Sequence, residues 1–118
     1  MILSDMTKHY PELSQLFHAL ADPTRRSILS RLAERPARVT ELSGPTGLRL
    51  PTVMRHLAVL EDAGLIVTAK DGRVRTCALV PEALAPARAW LDEQRDLWEA
   101  RLDRLEALAM KAARESME

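Results

Sequence analysis

Asp71 and Gly72 separate two β-prone runs, LIVTAK and RVRTCAL. An Asp-Gly pair between such runs is a strong hairpin signal, because glycine supplies the positive φ of a tight hairpin turn. What surrounds the hairpin constrains the fold further. Upstream, a helical pattern stops at Gly64, the left-handed position that glycine adopts cheaply. Downstream, from Pro81, the pattern turns helical again nearly to the end. With 118 residues there is room for one domain and one core. The fold class expected is mainly α with one small β-hairpin.

The helices ahead of the hairpin follow from periodicity and punctuation. In PELSQLFHALA, Leu13, Leu16, Phe17 and Leu20 fall at i, i+3, i+4, i+7, one helical face, and Pro11 suits the first turn. Asp22-Pro23 opens a second helix, with Asp22 as N-cap and Ile28, Leu29 and Leu32 as its apolar face. It ends before Pro36, since a residue preceding proline avoids helical angles. A short third helix is expected over VTELSG, carrying Val39 and Leu42 and stopped by Gly44, Pro45 and Gly47. A fourth runs from about Leu50 to Ala63, with Val53, Leu57 and Leu60 as its buried stripe. In the C-terminal segment, Leu91, Trp98, Leu105 and Ala112 recur every seven residues. Leu102 and Ala109 fall four after Trp98 and Leu105, which makes a seam of about three heptads.

Two short helices joined by a glycine-containing turn, then a hairpin, make a winged helix-turn-helix, which places its second helix in the DNA major groove. If Val53, Leu57 and Leu60 face inward, then Thr52, Arg55, Val59 and Asp62 face outward. Arg55 can read guanine through two acceptors, and Thr52 can donate to phosphate or touch a thymine methyl. Lys70, Arg73 and Arg75 bracket the hairpin turn, where cations displace the counterions of phosphate. The candidate DNA-binding residues are therefore Arg49, Thr52, Arg55, His56, Lys70, Arg73 and Arg75. For His56 two roles stand open, donation to phosphate or a hydrogen bond within the fold. Arg25 and Arg26 follow a helix N-terminus, an unhelpful place for cations, and either reach phosphate or pair with a carboxylate.

Charge does not oppose this reading. The net charge is zero, but residues 1–80 hold 11 Lys/Arg against 8 Asp/Glu, and residues 81–118 hold 6 against 9. No apolar run approaches the roughly 20 residues that span a bilayer, and Asp5 and Lys8 interrupt any signal-peptide stretch. Cys77 is the single cysteine, which fits a reducing cytoplasm, and a lone cysteine on a strand reads as a small buried hydrophobe.

The stretches LFHALADPTRRSILSRLAE, VTELSGPTGLRLPTVMRHLAVLEDAGLI and DGRVRTCAL, with the tail WLDEQRDLWEARLDRLEAL, resemble the arsenic-repressor-like (ArsR/SmtB) winged-helix regulators. The resemblance runs from about Leu13 to Leu108 and points to a subset without metal-binding cysteines. It implies a homodimer that binds an operator and, usually, represses transcription. Met54 stands where the family usually has Ser, and Arg49 where a small capping residue is common. These departures leave a first turn that a DNA phosphate could complete, and they leave the operator sequence open.

On this reading residues 1–118 form one DNA-binding domain, with residues 81–118 as its dimerisation helix. Leu91, Trp98, Leu102, Leu105 and Ala109 form the seam, since a helix of more than 30 residues is too long for so small a domain to cover. The partners expected are double-stranded DNA and a second copy, with no membrane and an unspecified effector. No cofactor and no metal are expected, because His9, His18 and His56 lie in separate elements without ligand spacing. No nucleophile elbow or phosphate-binding glycine loop suggests an enzyme. Two alternatives remain: a winged-helix protein-interaction module without DNA binding, and a metal-responsive repressor of the same family.

Overall fold

The computed structural model describes residues 12–117. Pro11 and His9 lie outside the described residues. Helix α1 occupies residues 12–20 and buries Leu16 and Ala19. It is followed by α2 (Pro23–Glu34), the short strand β1 (Ala37–Arg38), α3 (Val39–Thr46), α4 (Leu50–Asp62), β2 (Ile66–Asp71) and β3 (Val74–Leu79). A 3-10 turn (Pro81–Leu84) then leads into α5 (Ala85–Met117). The chain divides into two compact units, one ending at Ala85 and the other beginning at Pro86.

The junction between α1 and α2 explains two cations that the helix dipole alone does not. Asp22 caps α2, its carboxylate accepting from the Arg25 amide at 3.0 Å. The Arg25 guanidinium turns back and donates to the carbonyls of Ala19 and His18, each at 2.8 Å. Arg26 donates to the Leu20 carbonyl at 2.8 Å. These are the last carbonyls of α1, which lack partners within their own helix. Both cations thus sit at the negative end of the preceding helix, where charge and hydrogen bonding agree.

Helix α3 runs two residues past the expected VTELSG, through Pro45 to Thr46. Gly44 and Pro45 are tolerated in its last turn, and Gly47, at φ 68°, ends it. Helix α4 ends as its sequence implies. Gly64 adopts φ 77°, and the Leu65 amide reaches the Leu60 carbonyl at 3.0 Å, closing the helix on its own orphan acceptor.

The sheet has three antiparallel strands in the order β1-β3-β2. The hairpin was expected, but β1 was not: two residues carry no periodicity to read. β1 pairs Ala37 with Cys77 and Arg38 with Thr76. The core gathers Ile28, Leu32, Leu42, Val53, Leu57, Leu60, Leu65 and Ile66 around this sheet, all buried. Cys77 is fully buried among them, and burial pushes its thiol pKa up.

Helix α5 has 33 residues, a length of about 50 Å at the usual helical rise. Ala87 is its one buried residue among those described. Leu91, Trp98, Leu102 and Leu105 are all more than half exposed, Trp98 at 66%.

Candidate nucleic-acid interface

The α3–turn–α4 unit is held by its own short connection. The Ser43 hydroxyl donates to the Leu48 carbonyl at 3.0 Å, across the turn that Gly47 begins. Arg49 occupies the N-cap of α4 and makes no side-chain capping bond, so the first turn lacks the acceptor that Ser, Thr, Asn or Asp would supply.

The buried stripe of α4 is Val53, Leu57 and Leu60, as the spacing predicts. The opposite face differs in detail. Pro51, Arg55, Ala58 and Asp62 are the exposed line, while Thr52 and Val59 are half-buried on one flank. At 100° per residue, the direction opposite the stripe falls between residues 55, 58 and 62, which turns Thr52 and Val59 to the side. Arg55 is on the exposed line. Ala58 and Pro51 were not singled out from the sequence, although the same wheel contains them.

His56 lies on that flank and faces the α1–α2 junction. Its Nδ1 is 3.4 Å from the Arg25 guanidinium and 3.9 Å from the Asp22 carboxylate. The two contacts require different ring states: a neutral Nδ1 accepts from Arg25, and a protonated one donates toward Asp22. Asp22 is held below its usual carboxylate pKa, chiefly by the backbone bond from Arg25 and then by the nearby charges of His56 and Arg25.

The wing turn is shifted by one residue from the expected Asp71-Gly72. Asp71 pairs with Val74, so the two-residue loop is Gly72-Arg73. Gly72 has φ 63°, and no described non-glycine residue has positive φ. A positive first and negative second central φ make this a type II′ turn, which wants glycine first. Arg73 is therefore at the tip itself, and Lys70 stands opposite Arg75 in the ladder. All three are exposed.

The wing and the starts of α3 and α4 enclose a groove of about 340 Å³. Lys70, Arg73, Arg75 and Arg38 line it together with apolar Leu50 and Met54. Three of these cations were expected at the wing, and Arg38 was missed because it enters through the unforeseen strand β1. The Arg38 Nε donates to Glu41 at 2.8 Å, and the Glu41 carboxylate also faces Arg31 at 3.5 Å. The side-chain hydrogen bond from Arg38 is the main reason that Glu41 is held below its ordinary carboxylate pKa. Arg49 is exposed at the head of α4 and does not line this groove, and His56 faces elsewhere. No described helix is long and apolar enough to cross a membrane.

Comparison with known proteins gives consistent results. A helix-turn-helix domain family matches residues 20–69. The chain is 40% identical over 83 residues to an HTH-type transcriptional regulator of Mycobacterium tuberculosis, covering 70% of this chain and 78% of that one. It is 32% identical over 103 residues to the arsenical resistance operon repressor of Escherichia coli K12, covering 86% of each. Among solved structures, an ArsR family transcriptional regulator is similar with a TM-score of 0.72 and 52% identity, over 75% of this chain and 92% of that one. An ArsR-like regulator from Rhodococcus sp. RHA1 gives a TM-score of 0.75 with 26% identity, over 86% of this chain and 96% of that one. The chain belongs to the ArsR family of winged helix-turn-helix transcriptional regulators, which are DNA-binding proteins and not enzymes.

Proposed function

We propose that the chain acts as a homodimeric repressor, in the cytoplasm, that reads an inverted-repeat operator. The observation that carries this is the placing of Arg55 on the exposed line of α4, with the Lys70–Arg73–Arg75 wing at the edge of the same unit. A helix presenting Arg to base edges and a hairpin presenting cations to phosphates divide the work of reading and holding DNA. Thr52 and Arg49 contribute to the backbone contacts at the head of the helix. The first turn of α4, uncapped by its own side chains, takes a phosphate oxygen as its acceptor.

The dimer rests on α5. Leu91, Trp98, Leu102, Leu105 and Ala109 form an exposed apolar stripe, and stripes of this kind mark interaction surfaces. A second copy of the same helix supplies the matching face. Residues 1–118 then act as one DNA-binding domain, with residues 81–118 as the dimerisation segment. A two-fold dimer places its two recognition helices about one turn of DNA apart, roughly 34 Å, which calls for an inverted repeat.

The test is selection of bound duplexes from a random pool, followed by fluorescence anisotropy across a range of salt. Enrichment of an inverted repeat whose affinity falls steeply with salt is the expected result. Failure to enrich any duplex, with no salt-dependent binding, would favour the protein-interaction module instead.

A further inference from the structure

We propose that the groove between the wing and the helix-turn-helix seats the sugar-phosphate strand of the DNA, and that Arg38, which belongs to neither the recognition helix nor the wing, supplies a phosphate contact there. This rests on the DNA-binding reading above.

A helix in the major groove and a hairpin tip in the adjacent minor groove straddle the sugar-phosphate strand that divides the two. The space between α4 and the wing is where that strand must pass, and it is the groove that Arg38, Lys70, Arg73 and Arg75 line. Cations from β1, from both wing strands and from the turn between them converge on it. In the β1–β3 ladder Arg38 is paired with Thr76, the residue next to Arg75 in β3, and it lines the groove together with Arg75. Four cations around one small groove repel one another in the free protein, and an anionic strand relieves this. The apolar lining fits the same occupant. Leu50 is 44% exposed at the first position of α4, and the uncharged deoxyribose between phosphates is the part of the strand that packs on carbon.

Arg38 is also held in place. Its bond to Glu41 uses Nε, so the terminal nitrogens carry the remaining donors, in the fork that suits phosphate. Glu41 is thus a positioning residue for Arg38.

The experiment measures anisotropy of a duplex selected by the wild-type protein, and of a random duplex, from low to moderate salt. Arg38→Gln keeps a donor for Glu41 and removes the charge; Arg38→Lys keeps the charge. The expected result is a log–log salt slope shallower by about 0.9 for Arg38→Gln, the value of one phosphate contact, on both duplexes, with the slope retained in Arg38→Lys. A methylphosphonate scan gives a second reading. A neutral linkage on the strand between the two protected grooves should weaken wild-type binding and leave Arg38→Gln unaffected at the same linkage. An unchanged slope in Arg38→Gln, with or without a lower melting temperature, would assign Arg38 to α3 stability alone and overturn the proposal. Absence of any binding by the wild type would instead remove the DNA reading and this proposal with it.

Discussion

Lys70 and Arg75 stand directly opposite one another across the β2–β3 ladder. Like charges in that position destabilise a sheet, by an amount comparable to the few tenths to about 1 kcal/mol that a favourable pair contributes. The free wing therefore carries a local cost that a phosphate bound there, as proposed, would remove. Lys70→Glu converts the pair to an attractive one. The variant should unfold at higher urea, by a few tenths to about 1 kcal/mol, and bind DNA more weakly. A variant that is less stable, or that binds as well as the wild type, would contradict this account of the wing.

Arg55 and Arg73 should fail differently. Arg55→Ala removes the side chain proposed to read bases from the exposed face of α4 and should cost about 1–3 kcal/mol on the selected duplex, relaxing preference at one base position. Arg73→Ala removes a tip cation and should weaken selected and random duplexes alike, flattening the salt slope by about one contact. Competition titrations with single-base variants separate the two. Identical behaviour of both variants on both kinds of DNA would undo the division of labour.

Which of these features could be read from the chain alone follows from the range of the interactions that set them. The caps at Asp22 and Gly64, the stripe of Val53, Leu57 and Leu60, and the hairpin all depend on neighbours within a few residues, and periodicity reports them. The turn register did not follow, because Asp-Gly is compatible with either residue pair as the loop, and cross-strand pairing of Asp71 with Val74 decides it. Strand β1 and the arrival of Arg38 at the groove depend on a partner nearly forty residues away. The roles of Arg25 and His56 were open for the same reason: their partners belong to other helices. The sequence pattern singled out the candidate helix and wing and left out Arg38, which lines the groove between them.

The proposed dimer has a direct test. Burying Trp98 and Leu105 on each subunit is worth roughly 1.5–3 kcal/mol per side chain, so placing charge at both should outweigh the gain from the rest of the stripe. Trp98→Glu with Leu105→Glu should halve the mass seen by light scattering and lower operator affinity through loss of the paired half-sites. An unchanged dimer mass would move the interface off α5.

Arg25 ties three helices together, since its side chain meets the last carbonyls of α1, and His56 on α4. Arg25→Ala should destabilise the fold by about 1.5–3 kcal/mol, the range for charged hydrogen bonds, and Arg25→Lys should not restore it, lacking the planar fork. The Asp22 cap adds a pH signature. Its carboxyl pKa is depressed in the folded state, so its contribution is fully present above the ordinary aspartate value of about 3.9 and is lost as pH falls through the lower folded value. The melting-temperature gap between wild type and Asp22→Ala should be constant near neutrality and close only in that acid range. A gap that stayed open through that acid range would contradict this account of the cap.

Transition metals and arsenicals should leave DNA binding unchanged. Thiophilic ions are held by several thiolates or imidazoles that converge on one centre. Cys77 is the single thiol, fully buried in the sheet and, with its pKa raised by burial, further from the reactive thiolate form. His56 faces Asp22 and Arg25, and His18 is on α1. Among the described residues no group of three or more His, Cys, Asp or Glu side chains gathers as a metal site. The proposed dimer would leave one other ligand set to test, the imidazoles of His9, which lies outside the described residues, and His18 with carboxylates of a second copy. A ligand bound there would act on DNA affinity only if it favoured one conformation over another. Anisotropy titrations of the selected duplex under buffered free zinc, and separately with arsenite, decide the matter. Superimposable curves are expected, for the wild type and for Cys77→Ser alike. A tenfold loss of affinity at sub-micromolar free zinc would overturn the reading and make His9 and His18 the first residues to replace, whereas a loss with arsenite that disappears in Cys77→Ser would place the sensor in the sheet.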